Sequence, residues 1–164
     1  MKIFILLTTL FLASCATNYQ GTVPDLKLKG AAAQAEFERF RLEGPNFILS
    51  DRFALRMGEE RTRYAGSSLL DVLKTVSPAA ETRAEMAYDI GYFGLGALGV
   101  AAIYAVAVGT ANNSASLAIP FWELLGIGIG AGLYTHIELG AAAVEFNNEL
   151  KSKLIPTVSL HQNF

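Results

Sequence analysis

The chain has 164 residues, 52% of them hydrophobic and 17% charged, with a mean hydropathy of +0.34. Soluble domains carry about 25% charged residues, and here thirteen Lys and Arg against fifteen Asp and Glu leave a net charge of −2. These numbers exclude an acidic disordered chain and a basic nucleic-acid binder.

The shortage of charge is local. No charged residue lies between Asp89 and Glu123, and no Lys or Arg between Arg83 and Lys151. Ten of the fifteen glycines fall between Gly91 and Gly140. The length suits one modest domain. With Cys15 alone, neither an intramolecular disulfide nor a thiolate metal cluster can be built.

The N-terminus reads as an address. Met1-Lys2 precedes an apolar run from Ile3 to Leu12, followed by Ala13-Ser14-Cys15. A short positive region, an apolar core and small residues before a cut describe a secretory signal peptide, and the run is too short to span a bilayer about 30 Å thick. Leu12-Ala13-Ser14-Cys15 resembles a bacterial lipobox, which implies acylation of Cys15 and removal of residues 1–14. Ala16 stands where an inner-membrane retention signal has Asp, so the same resemblance implies the outer membrane. A covalent lipid on Cys15 is the only cofactor expected, and no metal site is.

Residues 15–30, rich in Thr, Asn, Gln, Gly and Pro, read as a tether. Ala31–Glu43 favours a helix with Phe37 and Phe40 on one face, ended by Gly44-Pro45. In 53–64, Phe53, Leu55 and Met57 alternate with Ala54 and Arg56; Gly58-Glu59-Glu60 supplies a turn and Arg61–Tyr64 alternates again, a hairpin signal. Ser67-Ser68 precede a helix in which Leu69, Val72, Leu73 and Val76 keep helical spacing. Ser77-Pro78 closes that helix and opens the next. Arg56, Arg61, Arg63 and Lys74 gather positive charge, but Glu59, Glu60 and Asp71 are interleaved and a mixed solvated face accounts for them.

From Ala79 the chain reads as helical to about Gly109, wet over its first turns and uncharged over Ile90–Gly109. Twenty residues at 1.5 Å each cover about 30 Å, the hydrocarbon thickness. A polar turn around Asn112-Asn113-Ser114 follows. Pro120 is expected to begin a second helix that runs to Lys153, with Ile119–Leu139 as its span. The expected organisation is a signal peptide (1–14), a lipidated tether (15–30), a small exported α+β segment (31–78), a glycine-rich helical hairpin (79–153) and a tail (154–164). The fold class is mostly α with a small β-hairpin.

Glycine costs a soluble helix about 1 kcal/mol per interior position, whereas small residues four apart let membrane helices approach closely. Gly126/Gly130 and Gly128/Gly132 have that spacing, the second row continuing through His136 to Gly140. Ala97, Ala101, Ala105 and Gly109 form a matching row on the first helix. A packed intramolecular hairpin is the simplest use of these rows; self-association into an oligomer or pore is the other. The neutral loop gives the positive-inside rule nothing to act on, and an inner-membrane style of helix conflicts with an outer-membrane address.

Candidate chemistry is sparse. His136 and Glu138 stand on different helix faces, and snorkelling to headgroups accounts for both. Glu123, three residues after Pro120, fits a helix first turn, where the dipole favours negative charge. Phe121 and Trp122 on one span and Tyr88, Tyr92 and Phe93 on the other read as interfacial aromatic belts. No nucleophile elbow, phosphate loop, H-E-x-x-H or CxxC occurs, so no enzymatic activity is expected.

Taken together, residues 47–164 resemble a loose class of bacterial membrane lipoproteins without an assigned activity. In these, a short strand pair, a small helix, a glycine-rich helical hairpin and an exit motif follow in order. Phe53-Ala54-Leu55-Arg56-Met57-Gly58 and the Leu69–Val76 helix match the front, and Ala143-Val144-Glu145-Phe146-Asn147 the exit. Glu138 departs from the basic character common at such exits. The resemblance implies a lipid-anchored envelope protein whose partners are membrane lipid, a second copy or another envelope protein.

Overall fold

The computed structural model describes residues 19–45, 53–59, 61–64, 67–110 and 115–155. Cys15, the expected signal peptide and the residues beyond 155 lie outside them. In chain order the elements are α1 (Ala31–Phe40), β1 (Leu42–Glu43), β2 (Leu55–Met57), β3 (Thr62–Tyr64), α2 (Ser67–Val76), α3 (Pro78–Thr110) and α4 (Ala115–Leu154). The protein is therefore mostly helical with a small antiparallel sheet of order β1-β2-β3.

The expected hairpin forms as β2 and β3, with Leu55 opposite Tyr64, Arg56 opposite Arg63 and Met57 opposite Thr62. Its turn needs left-handed backbone at Gly58 (φ 70°) and Arg61 (φ 52°). A side chain at Gly58 would also press on the Arg39 carbonyl, 2.8 Å from an added Cβ.

The helix expected over Ala31–Glu43 stops at Phe40, and Leu42–Glu43 becomes a third strand. Phe40 and Leu42 are both buried, and residues two apart lie about 200° apart around a helix. The chain therefore extends at Arg41 (φ −54°, ψ 129°), and both side chains reach the same interior. Leu42 pairs with Met57 and Glu43 with Arg56.

Asn147 of α4 holds this strand from the side. The Leu42 N–H donates to its Oδ1 at 2.8 Å, and its Nδ2 donates back to the Leu42 carbonyl at 2.7 Å. An edge strand two residues long thus has both free backbone groups satisfied.

The 19–30 stretch is not a free tether. Tyr19 meets Tyr64 edge-on at 5.0 Å, Pro24 is buried, and Leu26 and Leu28 pack on the core. The Asp25 N–H donates to Glu36 at 2.9 Å and Arg39 to the Thr22 hydroxyl at 3.2 Å. Its apolar residues are used one at a time in irregular backbone, so no periodicity announces them.

In α2, Leu69, Val72, Leu73 and Val76 form the buried stripe of an amphipathic helix. Ser77, fully buried, joins α2 to α3. Its Oγ accepts the Ala80 N–H at 3.2 Å as an N-cap and donates to Glu149 of α4 at 2.9 Å. Lys153 donates to the Val76 carbonyl beside it.

One continuous core follows. Phe40, Leu42, Leu55 and Met57 meet the α2 stripe, Ala80, Ala84 and Ala87 of α3, and Leu139, Ala142, Phe146, Leu150 and Leu154 of α4. The core thus runs past Pro78 into the first third of α3 and the last third of α4. These parts form a head, from which the rest of the two helices projects.

Candidate functional site: the distal helical hairpin

Beyond the head, α3 and α4 pack only on each other among the described residues. Both are long and apolar enough to cross a membrane, with candidate spans at Pro78–Gly109 and Ala118–Leu154. Only 22% of the most apolar stretch of α3 and 39% of that of α4 is buried.

The seam between them is made of small residues. A Cβ added to Gly94 would run into Ala131 and stand 3.4 Å from the Gly128 carbonyl; one added to Gly128 would run into Leu98 and stand 3.1 Å from the Gly94 carbonyl. Close backbone approach is the reason for glycine at both positions. Ala97, Ala101 and Ala131 are buried, as is Gly132. Nearer the head, Thr135 Oγ1 lies 2.9 Å from the Ala87 carbonyl and 2.8 Å from the Ala131 carbonyl. This buried hydroxyl links the helices without leaving a polar group unsatisfied. Gly91 faces Thr135 and the Phe53 ring, and Phe53 stacks on Tyr92 at 6.1 Å and 3°.

The small-residue rows divide accordingly. Ala97, Ala101, Gly128 and Gly132 lie in the seam, whereas Ala105, Gly109, Gly126 and Gly130 are exposed. Nothing stands within 4 Å of a Cβ built on Gly109, Gly126 or Gly130. Gly140 is half-buried and touches Gly44 of the sheet, whose added Cβ would be 2.9 Å from the Gly140 Cα. Gly91 and Gly94, outside the rows of four, are seam residues. The signal that finds them is a 3-4 alternation, Ala80, Ala84, Ala87, Gly91, Gly94, Leu98 and Ala101, the spacing of a coiled-coil seam.

The large apolar side chains point away. Phe93, Trp122, Ile103 and Ile137 are 68%, 65%, 64% and 64% exposed, and Val100, Val106, Ile127, Ile129 and Leu133 join them. A water-soluble two-helix unit puts such residues inside; here glycine and alanine are inside and the bulk is outside.

The polar candidates are placed as follows. Glu138 does not reach outward: Arg83 donates to it at 2.7 Å and also lies 3.4 Å from Glu145. The bond to Glu138, with Glu145 adding to it, holds the Arg83 pKa above its ordinary value, so Arg83 is cationic at any working pH. His136 is half-buried. Pro120 does not begin α4 but lies inside it, because the helix starts at Ala115; the Ser116 carbonyl thereby loses its helical partner. Glu123 is consequently in the third turn, exposed, about 12 Å along the axis from the helix start. Helix contacts Gly94–Ala131 and Leu98–Gly128 put Trp122 and Glu123 level with residues near 102–104 of α3, part-way along the hairpin rather than at its end.

An open recess of about 790 Å³ lies in the head between α1 and the β2–β3 hairpin, lined by Tyr19, Gln34, Arg39, Met57 and Tyr64 among others. Burial raises the Tyr19 phenol pKa, with Arg39 opposing, so its hydroxyl stays neutral. No group of three or more His, Cys, Asp or Glu able to hold a metal occurs among the described residues. Comparison with family models, curated proteins and solved structures finds no match to this chain.

Proposed function

We propose that the chain is a lipid-anchored cell-envelope protein of structural or interaction type, in which the distal halves of α3 and α4 are embedded in a membrane and the head is held at its surface. The supporting observation is the inside-out arrangement of the hairpin, a glycine and alanine seam with isoleucine, valine, phenylalanine and tryptophan outside. Lipid tails accept that surface at no cost, whereas water penalises it by about 25 cal/mol per Å². Acylation of Cys15 tethers the head to the same membrane, in keeping with the lipobox and with the resemblance to membrane lipoproteins. Ala16 favours the outer membrane. No chemical step is assigned.

Alkaline carbonate extraction of native membranes tests the reading. The full-length chain stays in the pellet, and Cys15→Ala abolishes acyl labelling but leaves the hairpin membrane-bound. Release of the wild-type chain by carbonate defeats the proposal, and unchanged processing of Cys15→Ala removes the lipid anchor from it.

A second reading is favoured by one observation. Glu123, Gly126 and Gly130 share an exposed face of α4, and an ionisable group within a span is as a rule covered by protein or by a water-filled cavity. On this reading the face meets a second copy, giving an oligomer or a pore. Cross-linking in membranes separates the two: a monomeric band unaffected by Gly130→Leu leaves the monomeric hairpin.

A further inference from the structure

The outer face of the small sheet carries Arg56 where the head meets the hairpin. Register sets Glu43 beside Arg56 across β1 and β2, opposite the face that sends Leu42, Leu55 and Met57 into the core. Glu43 is already shared by Arg41 and Arg61, each at 3.5 Å. Arg56 forms no ion pair among the described residues. Its Nη2 donates to the Gly44 carbonyl at 3.4 Å, and its Nε is buried with no hydrogen-bond partner among the described residues. An unsatisfied buried donor carries a cost. Among the described residues the position lacks an anion.

Its height on the molecule says which anion. Gly44, the acceptor for Arg56, rests on Gly140, three residues or about 4.5 Å from Ile137, the end of the uncharged stretch of α4. The headgroup layer on each side of the hydrocarbon is about 5–7 Å deep. Three residues before Arg56, Phe53 stacks on Tyr92, with exposed Phe93 beside it. A guanidinium at headgroup height on a hairpin whose exposed apolar side chains lie deeper along its axis matches a lipid, whose phosphate and acyl chain both find a partner; a free phosphate uses only the first.

We propose that Arg56 is a lipid ligand, binding the phosphodiester of a net-anionic phospholipid at the base of the hairpin. The proposal rests on the membrane-embedded reading of that hairpin.

The test uses the full-length chain in neutral maltoside micelles. It is titrated with short-chain phosphatidylglycerol and, separately, with phosphatidylcholine of the same tails, the readout being the unfolding midpoint. Phosphatidylglycerol raises the wild-type midpoint at lower concentration than phosphatidylcholine. Arg56→Gln loses about fivefold in apparent affinity for it, the effect of one basic residue at a membrane surface. Lys151→Gln removes the same charge from an exposed site at the far end of α4 and keeps the wild-type preference. Arg56→Lys keeps the charge without the bidentate fork and binds more weakly than wild type; it decides the matter if Arg56→Gln does not fold.

Three results overturn the site: equal response of the wild type to both lipids, a preference retained in Arg56→Gln, or protection by inorganic phosphate alone as strong as by phosphatidylglycerol. Reconstitution into neutral bilayers separates the two levels. Wild type and Arg56→Gln that both resist carbonate there, with no phosphatidylglycerol preference, remove only the headgroup site. Extraction of the wild type removes the embedded hairpin and this site with it.

Discussion

The same two helices behave differently at their two ends. In the head, α3 and α4 bury Ala80, Ala84, Leu139, Phe146 and Leu150 and carry Arg83, Glu85, Asp89 and Lys151 outside, the pattern of helices built for water. Past Thr135 the pattern inverts, with Gly94, Gly128 and Ala131 inside and Phe93, Ile103 and Trp122 outside. No break in the backbone of α3 separates the regimes; only the side chains change. The head is held by apolar side chains leaving solvent, while the hairpin is held by backbone proximity, which requires only that nothing stand between the helices.

Truncation should therefore damage the head most. Phe146 is fully buried among the strands and α2, and Phe146→Ala should cost about 3–5 kcal/mol in denaturant unfolding of the detergent-solubilised chain. Ile103→Ala, at a large but outward side chain, should change the same measurement by less than about 0.5 kcal/mol. Comparable losses at the two positions would mean that the outer face of the hairpin packs on protein.

Enlargement reverses the order. Gly128→Leu drives a side chain into Leu98 and the Gly94 backbone and should cost about 1–3 kcal/mol, whereas Gly130→Ala on the open face should stay within about 0.5 kcal/mol of wild type. Thermal unfolding in detergent measures both. A penalty at Gly130 as large as at Gly128 would place a second copy on the open face.

This division was only partly legible in the sequence. The long helices, the β2–β3 hairpin and the α2 stripe follow from periodicities that several residues repeat. Strand β1 does not: two residues cannot establish an alternation, and the Ala, Glu and Arg around them favour continuing the helix. The seam was half legible because rows of four mark two straight faces of each helix, whereas the helices wind together on a 3-4 alternation that brings in Gly91 and Gly94. Pro120 suggested a helix start because proline suits a first turn, yet Ala115–Ile119 supply an earlier turn and the proline sits inside. Glu138 looked like a headgroup-facing carboxylate until Arg83, fifty-five residues earlier, came within 2.7 Å.

Asn147 ties α4 to the sheet within the head, since its amide satisfies both backbone groups of Leu42 on the sheet edge. Asn147→Ala leaves a part-buried N–H and carbonyl unpaired and should cost about 1–2 kcal/mol, with faster hydrogen exchange at the Leu42 amide. Unchanged exchange there would mean that β1 is held by β2 alone.

The smallest effect is expected at Arg83, the ion pair nearest the change of regime. Its pKa is raised in the folded state by Glu138 and Glu145, and a raised cationic pKa contributes stability that is lost only as pH climbs through the folded value. For arginine that window lies above neutral and mildly alkaline conditions, so its own titration leaves stability flat across them. The pair is also solvent-exposed, and water and salt screen it. Arg83→Gln should therefore shift the unfolding midpoint less than Asn147→Ala, and the difference from wild type should shrink in high salt. A large, salt-insensitive loss would instead place Arg83 and Glu138 in a dry environment, moving the membrane boundary toward the head by two turns of α4.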